Sequence, residues 1–188
     1  MTRTVWCRAL VVSIGLLSTC GPGTGSLPFA MRADAAALAL VFVSKDCEVS
    51  EAFGPTIRTL AADFAPRGVD FVLVYLDAGL AREDAVEHAR AAYGPDCAVF
   101  VDDNGYLARL TNVSVTPAAA VLARDGTPLY RGRIDDRSPL CEAESDEPGG
   151  RRDLREALAA LLDGKPIPHP ETLAFGRPLE KKKAAADE

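Results

Sequence analysis

The runs ALALVFV (37–43) and VDFVLVYLD (69–77) constrain this chain more than any other feature. Each is a nearly continuous apolar stretch of strand length, rich in valine and leucine. Continuous runs of this kind form strands covered on both faces. Between them, Phe53, Ile57, Leu60, Ala61 and Phe64 recur at helical spacing from Ser50 onward, and Pro66 and Gly68 stop the helix. Two buried strands joined by a helix must cross over and pair in parallel. The chain is therefore expected to fold as α/β, with helices packed on both faces of a central sheet.

The remaining segments complete that sheet. AREDAVEHARAAY (81–93) reads as a helix with acidic residues near its start and Arg90 near its end, in accord with the helix dipole. CAVFVDD (97–103) is a short strand closed by turn residues Asp102 to Gly105, and 106–112 a short helix or turn. VTPAAAVLA (115–123) carries Pro117 and then a strand. ARDGTPLYRGRI (123–134) is a hairpin turning at Asp125-Gly126, which requires an antiparallel pair and makes the sheet mixed. The closing helix, RRDLREALAALLDG (151–164), ends at Gly164 and Pro166.

Apolar residues make up 48% and charged residues 26%, a balance that supports a packed core and excludes a disordered chain. The net charge of −6, with no basic stripe beyond Lys181 to Lys183, excludes nucleic acid as a partner. The first twenty residues, MTRTVWCRALVVSIGLLSTC, place Arg3 and Arg8 before an apolar segment too short to span a bilayer, as in a secretory signal. LSTC (17–20) resembles a bacterial lipoprotein cleavage box, with Cys20 as the lipid attachment site and Thr19 as its departure. Cleavage near Ala33 to Ala35 and an uncleaved anchor are the alternatives. All three put the domain outside the cytoplasm, in the periplasm or anchored to a membrane. Residues 21–36 read as a flexible tether, 37–168 as the domain, and 169–188 as an extended or disordered tail.

Of five cysteines, Cys7 lies in the leader and Cys20 is the candidate lipid site, leaving Cys47, Cys97 and Cys141. Three is odd, so at least one stays outside any internal disulfide. There is no C-x-x-C pair, no haem attachment motif and no cysteine–histidine cluster. His88 and His169 read as surface residues. Nothing in these motifs calls for a metal or another cofactor. Cys47 stands where an apolar run ends and a helix begins. A helix start favours the thiolate that attacks disulfides, while Asp46, Glu48 and Glu51 oppose it and Lys45 offsets them in part.

The segments VFVSKDCEVS, GVDFVLVYLD, AVFVDDNGYLARLTNVSVTPAAAVLARDGTPLYRGRIDDR and RRDLREALAALLDGKPIP, in that order over about 38–168, resemble the thioredoxin superfamily. The nearer likeness is to its extracytoplasmic redoxin branch of thiol-disulfide oxidoreductases and peroxiredoxin-like proteins. The resemblance implies a thioredoxin-like fold with a mixed central sheet. It also implies Cys47 as the attacking cysteine and Thr116-Pro117 as a cis-proline site, where an exposed Thr116 backbone would pair with an extended substrate. Ser50 departs from the pattern, since it holds the place of the resolving cysteine, and Glu48 replaces a common proline. Against the peroxiredoxin pattern P-x-x-x-T-x-x-C, Leu40 replaces the proline and Ser44 stands in for the threonine that holds peroxide. Resolution would then fall to Cys141 in a polar loop, to Cys97, or to an external thiol. The implied function is thiol-disulfide exchange through a single attacking cysteine, with a thiol or disulfide protein as partner. A one-cysteine thiol peroxidase acting on a small peroxide, and a non-catalytic binding module using the same groove, are the alternatives. Arg131, Arg133 and Arg137, beside Asp135 and Asp136, read as a solvated ion-pair cluster, or as a docking surface or guanidinium support for Cys47.

Overall fold

The two apolar runs form neighbouring parallel strands, β1 (Ala37–Val43) and β2 (Val69–Tyr75), in register from Ala37 opposite Val69 to Val43 opposite Tyr75. The structure is a computed structural model and describes residues 27–95, 97–136 and 150–179. The crossover comprises two helices rather than the one expected, α1 (Glu48–Ala52) and α2 (Gly54–Phe64), meeting at Phe53. Pro55 explains the break: it lacks an N–H and fits a helix only in the first turn, so α2 must start beside it. A 3-10 turn (Ala65–Arg67) ends at Gly68 with φ 91°, a left-handed conformation that glycine adopts at little cost.

Then follow α3 (Arg82–Ala92), β3 (Ala98–Val101) parallel to β2, and α4 (Tyr106–Thr111). The strand expected after Pro117 is β5 (Ala118–Ala123), and a two-residue strand, β4 (Val115–Thr116), precedes the proline. β5 runs antiparallel to β1 and, through the Asp125–Gly126 turn, to β6 (Pro128–Gly132). In that turn the Ala123 N–H donates to the Thr127 carbonyl at 2.8 Å and the Thr127 N–H to the Asp125 carboxylate at 2.9 Å. α5 (Asp153–Leu162) and a two-residue strand, β7 (Arg177–Pro178), complete the chain. The main sheet has the order β3-β2-β1-β5-β6, and β4 pairs with β7 in a second, small sheet.

β1 shows why the runs are unbroken. Ala37, Ala39, Val41 and Val43 face a cluster built with α2, α3 and α5, whereas Leu38, Leu40 and Phe42 face a second cluster with Leu107 and Ala108 of α4. Both faces are covered, so both residue parities must be apolar.

Two segments outside the expected domain also pack. In place of a free tether, Leu27, Phe29 and Met31 lie on the second cluster, and the Phe29 ring meets Phe100 at 5.4 Å. Arg32 pairs with Asp70 and donates to the Ala65 carbonyl at 3.0 Å. Alternating apolar residues carry this contact, and the surrounding glycine and proline obscured their period. The tail returns too: the Arg131 N–H donates to the Pro170 carbonyl and the Thr172 N–H to the Arg131 carbonyl, both at 3.0 Å. The leader 1–20 with Cys20, residues 21–26, Cys141 and residues 180–188 lie outside the described residues. Among the described residues no helix is long and apolar enough to cross a membrane.

Candidate functional site

Cys47 is the N-cap residue of α1, with extended backbone (φ −127°, ψ 101°), and its carbonyl accepts the Glu51 N–H at 3.1 Å. The turn that delivers it is stapled by Asp77, just beyond β2. The Ser44 hydroxyl donates to Asp77 Oδ1 at 2.5 Å and the Lys45 N–H to Oδ2 at 3.1 Å. Ser44, expected to face a bound peroxide, thus has its hydroxyl engaged by a carboxylate. Cys47 is 7% exposed, and neither it nor Cys97 is in a disulfide.

The Thr116–Pro117 peptide is cis. Phe42 near the end of β1 is opposite Ala118 at the start of β5, so the cis turn and the Cys47 turn sit at one end of the sheet on adjacent strands. Thr116, however, is only 2% exposed, and it is paired with Arg177 of β7. The expectation of a free Thr116 backbone is therefore corrected: the chain's own tail already lies against that strand.

One helical turn beyond Cys47, Ser50 is fully buried, and its Oγ has no hydrogen-bond partner among the described residues. The Tyr93 hydroxyl is in the same condition. Between α1, β2 and α3 lies a connected array. His88 Nε2 is 3.2 Å from Glu51 Oε1, and Nδ1 is 2.8 Å from the Tyr75 hydroxyl. A carboxylate only accepts, so Nε2 carries the proton; in a neutral ring Nδ1 then accepts from the Tyr75 O–H. The His88 ring also meets Tyr75 and Tyr93 edge-on, at 5.7 and 5.9 Å between centroids. His88 is thus no surface residue. Its side chain is 13% exposed and ties the Cys47 helix to β2 and α3.

Burial pushes the Tyr75 and Tyr93 phenols well above the ordinary tyrosine range. Nearby Asp77 and Glu51 add to the shift at Tyr75, and Tyr75 and Glu51 add to it at Tyr93. Burial, opposed in part by the hydrogen bond with Thr172, pushes Tyr130 up to about 12. A folded-state pKa above the unfolded value of about 10 means stability that is intact below pH 10 and lost as pH rises through the folded value. Absorbance at 295 nm is expected to show these three phenols ionising only as the fold melts, above about pH 10. Reversible ionisation near pH 10 with unchanged circular dichroism would contradict their burial.

Cys97 precedes β3, whose first residue Ala98 is in register with Val72 and through it with Leu40. At about 4.8 Å between strands and about 3.3 Å per residue, β3 begins roughly 14 Å from Val43. Cys97 packs against the first core cluster and adds electrostatically to the upward shift of the Tyr75 phenol. In the arginine cluster, Arg133 and Arg151 both pair with the fully buried Asp153, at 2.6 and 2.7 Å, and Arg131 pairs with Glu171 at 2.7 Å. These ion pairs bind α5 and the tail to the hairpin. Arg137 lies outside the described residues. Among the described residues no group of three or more histidine, cysteine or acidic side chains is arranged to hold a metal.

Strand order β3-β2-β1-β5-β6, a cysteine at the first crossover helix and a cis-proline before β5 occur together here. The fold is thioredoxin-like. No protein-family model matches the chain, and no curated protein matches it in sequence. Among solved structures it is similar to an uncharacterized conserved protein from Geobacillus kaustophilus, with 26% identity, TM-score 0.68 and coverage of 80% of this chain and 79% of that one. A hypothetical protein from Sinorhizobium meliloti 1021 gives 23% identity, TM-score 0.66 and coverage of 80% and 82%. A secreted disulfide oxidoreductase from Mycobacterium tuberculosis gives 20% identity, TM-score 0.46 and coverage of 66% and 81%.

Sequence reasoning missed three parts of this thioredoxin-fold site: Asp77, the Glu51–His88–Tyr75 array, and β7. Asp77 could have been found only by setting β1 and β2 in register, since it then falls beside the turn after Val43. The array joins three elements, and no spacing within one of them reports it.

Proposed function

We propose that this chain is an extracytoplasmic thioredoxin-fold redoxin in which Cys47 alone performs the attack in thiol-disulfide exchange. What carries the reading is the placement of one thiol, outside any disulfide, at a helix start beside a cis-proline turn on the adjacent strand. The Cys47 thiolate attacks one sulfur of a disulfide R–S–S–R, forming Cys47–S–S–R and releasing R–S⁻. An external thiolate R′–S⁻ then attacks the R sulfur, forming R–S–S–R′ and returning the Cys47 thiolate. In this reading the resolving thiol is external, since Ser50 holds the place of a neighbouring resolving cysteine and cannot form a disulfide; replacing Cys97 or Cys141 tests the internal alternatives. The leader supports export. The peroxidase alternative is less well supported, because the Ser44 hydroxyl it requires is bonded to Asp77.

Limited alkylation followed by peptide mass spectrometry is expected to label Cys47 at least about tenfold faster than Cys97 or Cys141. Cys47→Ser should abolish exchange with a small disulfide, and Cys141→Ser should leave it intact. Equal labelling of all three cysteines, or full activity in Cys47→Ser, would sink the proposal.

A further inference from the structure

The strand beside the thiol is not available. The Leu179 N–H donates to the Ser114 carbonyl at 2.9 Å, while Val115 is opposite Pro178 and Thr116 opposite Arg177. In an antiparallel ladder, hydrogen-bonded and non-bonded pairs alternate. The bond at 114/179 therefore makes 115/178 a non-bonded pair and 116/177 a bonded one. Pro178, which has no N–H to give, falls on the non-bonded pair, where none is needed. The N–H and C=O of Thr116 both point at Arg177 and are satisfied by it. Gly176 lets this strand come so close that a Cβ there would run into the Thr116 carbonyl. A second anchor lies upstream, where the Thr172 hydroxyl meets the Tyr130 hydroxyl at 2.9 Å and accepts the Arg133 N–H at 3.1 Å.

An extended polypeptide gains affinity by pairing its backbone with a free strand edge. Beside Cys47 the Thr116 edge is already filled, and the thiol is 7% exposed. We infer that β7 is a specificity element, which keeps extended polypeptides off this edge and leaves Cys47 to small-molecule disulfides. The inference rests on the exchange reading above and names the substrate class for that same thiol. The chemistry is the exchange already written, with a small disulfide as oxidant and a small thiol leaving.

The test uses the full chain and two probes with the same leaving group. One is 2-hydroxyethyl disulfide. The other is an extended peptide of about eight residues, roughly one strand in length, with a central cysteine capped as its mixed disulfide with 2-mercaptoethanol. Mass spectrometry reads which group becomes attached to Cys47. The small adduct is expected to form at least about tenfold faster than the peptide adduct. Gly176→Val, which cannot keep β7 in place, should raise the peptide rate about tenfold and leave the small-adduct rate unchanged. Hydrogen exchange at the Thr116, Arg177 and Leu179 amides gives a readout independent of the thiol, and should show protection in the wild-type chain that is lost in Gly176→Val. Equal rates for both probes in the wild type, or an equal rise for both in the variant, would overturn the inference. So would unprotected amides in the wild type, whatever Cys47 does. Protected amides with a Cys47 that forms neither adduct would instead overturn the exchange reading, and the substrate assignment with it, while the occupied edge would stand.

Discussion

Replacing Ser50 with cysteine is expected to shorten the life of a mixed disulfide at Cys47 by at least about 100-fold, because attack by a neighbouring thiol replaces a bimolecular step. The position is suited to it. Ser50 lies three residues after the N-cap Cys47, on the same helical face, and residues so spaced are neighbours within disulfide reach. Its hydroxyl is fully buried and unpartnered among the described residues, a condition that costs about 1–3 kcal/mol and that a small, weakly polar thiol would relieve. The reduced variant should therefore be slightly more stable than the wild type, and the oxidised one should carry a disulfide between Cys47 and the introduced thiol. The measurement is release of 2-mercaptoethanol from pre-formed Cys47 adducts of both proteins under the same low concentration of external thiol. An adduct that persists equally long in Ser50→Cys would show that α1 does not hold the two side chains together.

The largest stability effect is expected at Asp102. This buried carboxylate accepts three backbone N–H groups at the start of α4: Tyr106 at 2.8 Å, Leu107 at 2.9 Å and Ala108 at 3.2 Å. Its own N–H donates to the Tyr75 carbonyl at 2.8 Å, so it joins α4 to the end of β2. Asp102→Ala leaves the Leu107 and Ala108 N–H groups without their acceptor, while the Tyr106 N–H keeps Asn104 Oδ1 at 2.9 Å, and should cost about 3 kcal/mol. For a domain of this size that lowers the melting temperature by about 6–12 °C. Asp102→Asn should recover only part of the loss, since one oxygen becomes an amide that faces donors with donors. Thermal unfolding of the three proteins reads this directly. A shift under about 2 °C for Asp102→Ala would mean that the cap contributes little. α4 leads through Val113 and Ser114 into β4, so its loss should also loosen the cis-proline turn.

Much of this architecture was legible in local pattern. Buried strands, crossover helices and the Asp125–Gly126 hairpin each carry their own signal, because periodicity and turn chemistry act over a few residues. Cys47 and Pro117 could be picked out for the same reason: one follows an apolar run, the other interrupts one. Thr116 was expected to expose its backbone although Arg177 pairs with it, and His88 was read as a surface residue although its partners, Glu51 and Tyr75, belong to two other elements. The tail misled most. Proline and glycine erase any strand period in HPETLAFGRP, and a two-residue strand has no period to show.

By itself the sequence determined the sheet, its mixed pairing and the position of the single candidate thiol, since apolar runs and turn residues commit the backbone locally. Only the tertiary structure decided what surrounds that thiol. The register brings Phe42 opposite Ala118 and so sets the Cys47 turn and the Thr116–Pro117 turn at one end of the sheet on adjacent strands, and the returning chain sets Arg177 against Thr116. Such contacts join residues far apart in the chain. They exist only once the core has placed both partners.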